Sequence, residues 1–405
     1  MMGRRELLAL AAAPVFARSL RLERSIIFHG RKSSVTYFQP RACALPSTPH
    51  PTIFLTVSPV TGDDVFWNLH WSESKDLGVT WSKPEPLPGL SRVKHRDGIT
   101  EELLVDASPE YHAVTRTLLV LGDNVYYARD GKTQTHVPGE RWQQPVYIVR
   151  NSQGQWSAPQ KLNWDDSRAS ATMNAGSTQR VTLANGDLLL PLSHAPLERY
   201  AGGPLGTRGK TRGFDRAVSV VRCSFDGQSL QIRQVGTQFR LPVKRGLLEP
   251  ALAACCGRYF LTMRAEDNRG YASVSRDGLA WEDRRPWSWD DGEPLITSTT
   301  QQRWLVFDDR LFLVYTRRSA ENERVFRWRA PLYMAEVDTQ RLRLLRAREQ
   351  IVFPQVPDAR TGNFHAAHIT DGLAVILTTE ETSESVGWRG DTLLARLIRN
   401  GQPKP

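Results

Sequence analysis

The sequence predicts an all-β fold of the propeller kind, and three observations carry that prediction. A turn-forming motif recurs along the chain. Short strand-like segments bounded by turn residues fill the intervals between its copies. Past the N-terminus, no stretch has the 3.6-residue apolar period of a convincing amphipathic helix. Evenly spaced short strands joined by tight turns build sandwiches, barrels or propellers, and a repeat of tens of residues favours the propeller.

The chain opens with Gly3-Arg4-Arg5-Glu6-Leu7-Leu8, and an apolar run continues from Leu7 to Phe16 before Ala17. A charged start, an apolar centre and a small terminal residue define an export signal. The paired arginines followed by two leucines fit the twin-arginine type. Residues 1–17 are therefore expected to be removed, leaving one domain over 18–405 that works in the periplasm or outside the cell. The apolar run is shorter than the roughly 20 residues that cross a bilayer. No later segment is long and apolar enough, so no stable membrane insertion is expected.

The motif comes next. Residues 74–81 read S-K-D-L-G-V-T-W and residues 275–281 read S-R-D-G-L-A-W, one residue shorter. Ser224-Phe225-Asp226-Gly227 repeats the start, with Leu230 in place of the tryptophan. Asn151 to Trp156 keeps the glycine and the tryptophan but has no aspartate. The physics is that of a hairpin turn: Asp accepts from turn amides, Gly takes positive φ, and Trp packs beneath. Strand-like segments precede the copies, as in Val65 to Trp71 and Tyr271 to Ser275. Others are Val181 to Leu183 with Leu188 to Leu190, Tyr259 to Arg264, and Trp304 to Val306 with Leu311 to Tyr315. The last candidate strand, Leu393 to Ile398, is expected to pair with one near Ser25 to His29 and so remove an open sheet edge.

Composition narrows the function. A 40% hydrophobic and 24% charged chain of 405 residues is neither disordered nor dependent on disulfides. Cys43, Cys223, Cys255 and Cys256 lack zinc-site spacing and are expected as buried thiols in strands. The net charge of +10 favours anionic partners. No Lys/Arg run is dense enough for a nucleic-acid patch, which leaves acidic lipid, acidic polysaccharide or simply a solvated basic surface. The protein is expected to act as a monomer, without cofactor or metal.

At this point the chain resembles the sialidase superfamily, over roughly residues 35–380. The motif copies correspond to that family's Asp-boxes. The stretch from Gly246-Leu247-Leu248-Glu249-Pro250 through Arg264 to Trp281 resembles its run of Glu, strand, Arg and Asp-box. Phe326-Arg327-Trp328-Arg329 fits as well. The resemblance implies a six-bladed β-propeller of sialidase type. It also implies three arginines that clamp a sugar carboxylate, a Tyr nucleophile assisted by Glu, and an Asp acid/base. Guanidiniums suit that task because they stay charged and present forked donors, and a phenol avoids repulsion between a carboxylate nucleophile and an anionic sugar.

Carried over residue by residue, the resemblance assigns Arg41 and Arg264 to the clamp. Arg329 or Arg327 completes it; spacing cannot choose, and Arg329 is preferred. Asp64, ten residues before Ser74, becomes the acid/base, with Asp63 as its competitor, and Glu249 the nucleophile's helper. One departure stands out. Where the family has Tyr, this chain reads Gly362-Asn363-Phe364-His365. Tyr315, at a strand end, is the substitute considered.

Further residues have chemistry of their own. Glu110, Tyr111 and His112 concentrate an acid, a phenol and an imidazole, which suit general acid–base work or a lyase. Trp287 to Glu293 places two tryptophans beside three carboxylates and is a candidate pocket loop. Gln302, Asn174 and Arg180 are candidate substrate contacts near inner strands. The resulting expectation is a retaining exo-glycosidase acting on a terminal acidic sugar. Its rivals are a lyase or other glycosidase on the same fold, and a glycan-binding propeller without catalysis.

Overall fold

A computed structural model describes residues 20–199 and 214–400. The expected export signal lies outside them. Six antiparallel sheets form a six-bladed propeller. The innermost strand of each blade faces the central axis. In blade order these strands are Thr36–Leu45, Glu101–His112, Thr172–Asn174, Leu248–Cys255, Arg303–Phe307 and Phe364–Thr370. Blade 6 closes the ring by pairing the first described strand, Leu20–Phe28, with the last, Thr392–Arg399. Ser25 faces Leu394 and Ile26 faces Leu393 in the register, as the sequence predicts. This joins the first and last described strands in one sheet.

The core lies between blades, so blade strands must be apolar on both faces. Strand Thr117–Tyr127 is buried throughout. Its alternate residues serve different cores: Leu119 and Leu121 pack in one cluster, Leu118 and Val120 in another. Such two-sided burial follows from the period-2 geometry of a strand held between neighbouring blades.

The recurrent turn is built as its chemistry requires. Asp76 accepts from the amides of Val79 (3.1 Å) and Thr80 (2.9 Å). Gly78 lies at φ +87° and donates to the Ser74 hydroxyl at 2.8 Å. Trp81 reaches back to the Gly78 carbonyl. Asp277 and Trp281 repeat the arrangement in blade 4. Asn151 supplies the acceptor in the copy without aspartate, taking the amides of Gln153 and Gln155 at 3.0 and 2.9 Å. Cys43, Cys223 and Cys255 are buried, whereas Cys256 is exposed in the turn at the end of its hairpin.

Candidate functional site

A cavity of about 1240 Å³ opens at one end of the axis. Asp64, Asp106, Ser177, Glu249, Arg264 and Arg329 are among the residues that line it. Its floor has a common backbone origin. The inner strands of blades 1, 2 and 4 each carry a register irregularity, between Phe38 and Arg41, Val105 and Ser108, and Leu248 and Ala251. At each one a residue adopts left-handed φ: Gln39 (+54°), Asp106 (+53°) and Glu249 (+42°). Blade 3 places Ser177 at φ +56° on the same floor. A bulge adds a residue and re-aims side chains, here toward the axis. Left-handed φ in non-glycine residues is costly and clusters at working sites.

Arg41 is fully buried beneath the cavity. It donates to Ser177 at 3.0 Å, Asp106 at 3.3 Å and the Phe364 carbonyl at 3.2 Å. Arg264 ends the second strand of blade 4 and donates to Glu249 at 2.7 Å and Thr299 at 3.1 Å. Arg329 pairs with Glu381 at 3.1 Å. Gly362 gives Arg329 its passage, because a Cβ there would lie 2.4 Å from the Arg329 Cδ. Arg303, also fully buried, donates to Gln301 at 2.6 Å and makes no ion pair among the described residues.

These charges set the acids apart. Burial alone would raise Glu249. The Arg264 charge and hydrogen bond, helped by Arg329 and Arg303, overcome it and hold its pKa at about 2. Asp64 is exposed to solvent where it lines the cavity, with the cavity walls around it. That partial desolvation, with Asp63 and Glu381 nearby, pushes its pKa up to about 6 against the opposing pull of Arg329. One cavity thus holds a carboxylate that stays ionised and a carboxyl poised to give up its proton near neutrality, the pattern of an acid–base pair.

The structure gathers most of the predicted site and disperses the rest. Asp64, Glu249, Arg264, Arg329, Arg327 and Asn174 line the cavity, and Arg41 lies directly under it. Arg327 and Arg329 do not alternate along a strand. Arg327 is the middle residue of a short 3-10 turn, Phe326–Trp328, and Arg329 caps its end, which leaves Arg327 exposed on the rim and Arg329 buried in the wall. Tyr315 is fully buried and donates to Glu349 amid the blade 4–5 core, away from the cavity. Its pKa lies well above that of a free phenol through burial and the Glu349 charge, so it is placed as a structural residue. Gln302 is buried and accepts from Thr262, against Gly270. Arg180 is buried and pairs with Glu110 at 3.1 Å. His112 bonds Thr115 and the Gly186 carbonyl. Glu110, His112, Gln302 and Arg180 therefore do not line the cavity, because each is spent on joining neighbouring strands. Trp287 and Trp289 are likewise core residues.

Sequence reasoning missed Asp106, Ser177, Arg245, Glu266 and Glu381, all of which line the cavity. Two of the floor bulges have a visible trace, a proline directly after the left-handed residue in Gln39-Pro40 and Glu249-Pro250. Tyr126 is the tyrosine that lines the cavity among the described residues; its hydroxyl accepts from Asn124 and takes the Lys161 ammonium at 3.5 Å. A smaller surface trench of about 440 Å³ between Trp71, Glu73 and Trp81 lies on blade 1 and holds none of these groups.

Comparison with solved structures settles the architecture. The chain superposes on Trypanosoma rangeli sialidase with a TM-score of 0.62 at 14% identity, over 93% of this chain and 59% of that one. The fold is that of the sialidases. NanB sialidase from Streptococcus pneumoniae gives a TM-score of 0.61 at 11% identity, over 93% and 70% of the two chains. A Dyadobacter fermentans protein of unknown function gives 0.62 at 13% identity, over 94% and 99%. No family model and no curated protein sequence matches the chain. Among the described residues, no helix is long and apolar enough to cross a membrane, and no group of three or more His, Cys, Asp or Glu side chains is arranged to hold a metal ion.

Proposed function

We propose that the protein is an exported exo-glycosidase that hydrolyses a terminal acidic sugar from a glycan. The observation that carries this reading is the convergence of Arg264, Arg329 and, beneath them, Arg41 around Glu249, with Asp64 on the same cavity wall. Guanidiniums in that arrangement match a carboxylate on the sugar. Asp64, protonated below about pH 6, donates to the leaving oxygen. Glu249 stays ionised and takes the proton of the attacking group. Tyr126, the tyrosine that lines the cavity among the described residues, bonds Asn124 and Lys161 rather than Glu249, so water is the attacking group in this reading and the anomeric centre inverts instead of being retained. Asn363 lines the cavity and Phe364 is buried where the resemblance expects tyrosine.

That same feature favours a second reading, a carboxylate-binding propeller without turnover. The lyase reading loses its support, since Glu110 and His112 stand outside the cavity. The test is release of free sugar from a panel of acidic glycans, sialosides included, by purified protein beside Arg264→Ala. Sugar release that the variant abolishes supports the hydrolase. Binding without release supports the second reading. An ultraviolet-absorbing unsaturated product overturns both.

A further inference from the structure

Beyond the carboxylate clamp, the cavity has a second cationic ledge. Arg327 lies on its rim, exposed, and no carboxylate pairs with it among the described residues. Its flanking pairs are complete: Arg245 with Glu266, and Arg329 with Glu381 at 3.1 Å. Arg327 therefore adds an uncompensated positive charge between two finished ion pairs. Lys244, exposed beside Arg245 in the same lining, adds another, with no ion pair among the described residues.

The backbone holds this arrangement against its own preference. Lys244 sits at φ +42°, Arg327 at +54° and Trp328 at +49°. Left-handed φ at Lys244 and Arg327, which line the cavity, and at Trp328 next to Arg327 is unfavourable, and such strain persists where surroundings enforce it. The ledge is also apolar on one side. Phe326 is 55% exposed, with the guanidiniums of Arg327 and Arg360 each 4.9 Å from its ring. An aromatic face flanked by cations suits a sugar ring that carries an anionic substituent.

We propose that this ledge binds a second anionic group of the substrate, a sulfate ester or a further carboxylate, outside the clamp around Glu249. The inference rests on the reading of the cavity as an acidic-sugar site and extends it: the preferred glycan is doubly anionic. Sulfate and carboxylate share the chemistry that the ledge recognises, namely planar or tetrahedral oxygens accepting from a forked donor.

Calorimetry with three probes tests it: sialic acid, O-sulfated sialic acid and a two-residue sialic acid oligomer. The wild-type protein should bind at least one doubly anionic probe about tenfold tighter than sialic acid. A gain for the sulfated probe alone assigns a sulfate site; a gain for the dimer alone assigns a second carboxylate. Arg327→Gly should shrink the advantage to about twofold or less, and Arg327→Lys should retain part of it. Glycine is the safe replacement because the left-handed backbone suits it, so an unchanged melting temperature shows that the variant is folded. Equal affinity of the wild type for all three probes overturns the ledge while leaving the clamp intact, and so does an advantage that survives Arg327→Gly. No binding of sialic acid at all overturns the acidic-sugar reading together with its extension.

Discussion

Strand Glu101–His112 carries two acids four residues apart whose fates differ. Asp106 stands at a bulge with left-handed φ and opens onto the cavity, sharing Arg41 with Ser177. Glu110 lies on the regular part of the same strand and closes a pair with Arg180, supported by Thr182. Both are carboxylates beside arginine. The difference lies in the backbone. A regular ladder keeps side chains between blades, where Glu110 is paired with residues of the neighbouring blade. A bulge in the middle of the strand turns a side chain out of that interface and toward the axis. The propeller thus divides its charges into those that hold blades together and those that face the cavity.

The comparison is broken most sharply at the cavity floor. Arg264→Ala removes a forked donor from the proposed clamp and leaves Glu249 without its closest cation. The expected result is a loss of about 100- to 1000-fold in kcat/KM, the range for removing a preorganised donor. Steady-state kinetics on the sugar identified by the panel checks it. Asp64→Asn should cost about 100-fold, as for a general acid. In the wild type, activity should fall as pH rises through about 6, where Asp64 loses its proton; the variant should lack that limb. The sign for stability runs the other way from the usual carboxylate. The folded pKa of Asp64 is raised, so its contribution is full below the unfolded value near 4 and lost as pH climbs through 6. Asp64→Asn should therefore raise the melting temperature at pH 8 by about 1–2 °C and leave it unchanged at pH 3.5. A fall at pH 8 would show that Asp64 supports the fold.

How much of this division was legible in the sequence depends on which force set each residue. The turns were legible because their chemistry is local: Asp76, Gly78 and Trp81 make their contacts within one hairpin. The closing strand was legible from its apolar pattern and position. The six blades, and the placing of Arg41, Glu249, Arg264 and Arg329 at or beneath one cavity, came through a resemblance rather than from periodicity. Gln302 and Arg180 misled because the inter-blade core and the cavity wall obey the same period-2 alternation. A polar residue near an inner strand can belong to either. Asp106 and Ser177 stayed hidden because backbone irregularities aim them, and only the prolines after Gln39 and Glu249 hint at such irregularities. Tyr315 misled for a plain reason: a tyrosine at a strand end suits the core equally well when a buried acceptor such as Glu349 satisfies its hydroxyl.

The structural half of the comparison predicts effects of the opposite kind. Glu110→Gln strips the charge from the partner of Arg180, whose side chain is 2% exposed. Leaving a buried guanidinium without its anion is destabilising. Glu110 is itself partly exposed, so solvent softens the loss to about 2 kcal/mol. Denaturant unfolding measures it, while kcat/KM should stay within about twofold. A 100-fold fall in kcat/KM without loss of stability would return Glu110 to the reacting groups and dissolve the proposed division.

Asp76→Ala is the mildest case and the most local. It removes an acceptor that serves the Val79 and Thr80 amides and the Ser74 and Thr80 hydroxyls. The turn is exposed, so water replaces most of those bonds and the net cost should be about 1 kcal/mol. Asp76→Asn should recover much of it, because Asn151 already serves as the acceptor in the equivalent turn of blade 2. The pH dependence separates the two residues. Hydrogen bonds hold the Asp76 pKa below its ordinary value despite slight desolvation. Its stabilisation is present above the unfolded pKa near 4 and is lost as pH falls further. The wild type should therefore lead Asp76→Asn at pH 7 and lose that lead by about pH 2. A lead that persists at pH 2 would mean that the turn depends on the shape of the side chain rather than its charge, which would make the asparagine copy in blade 2 its full equivalent.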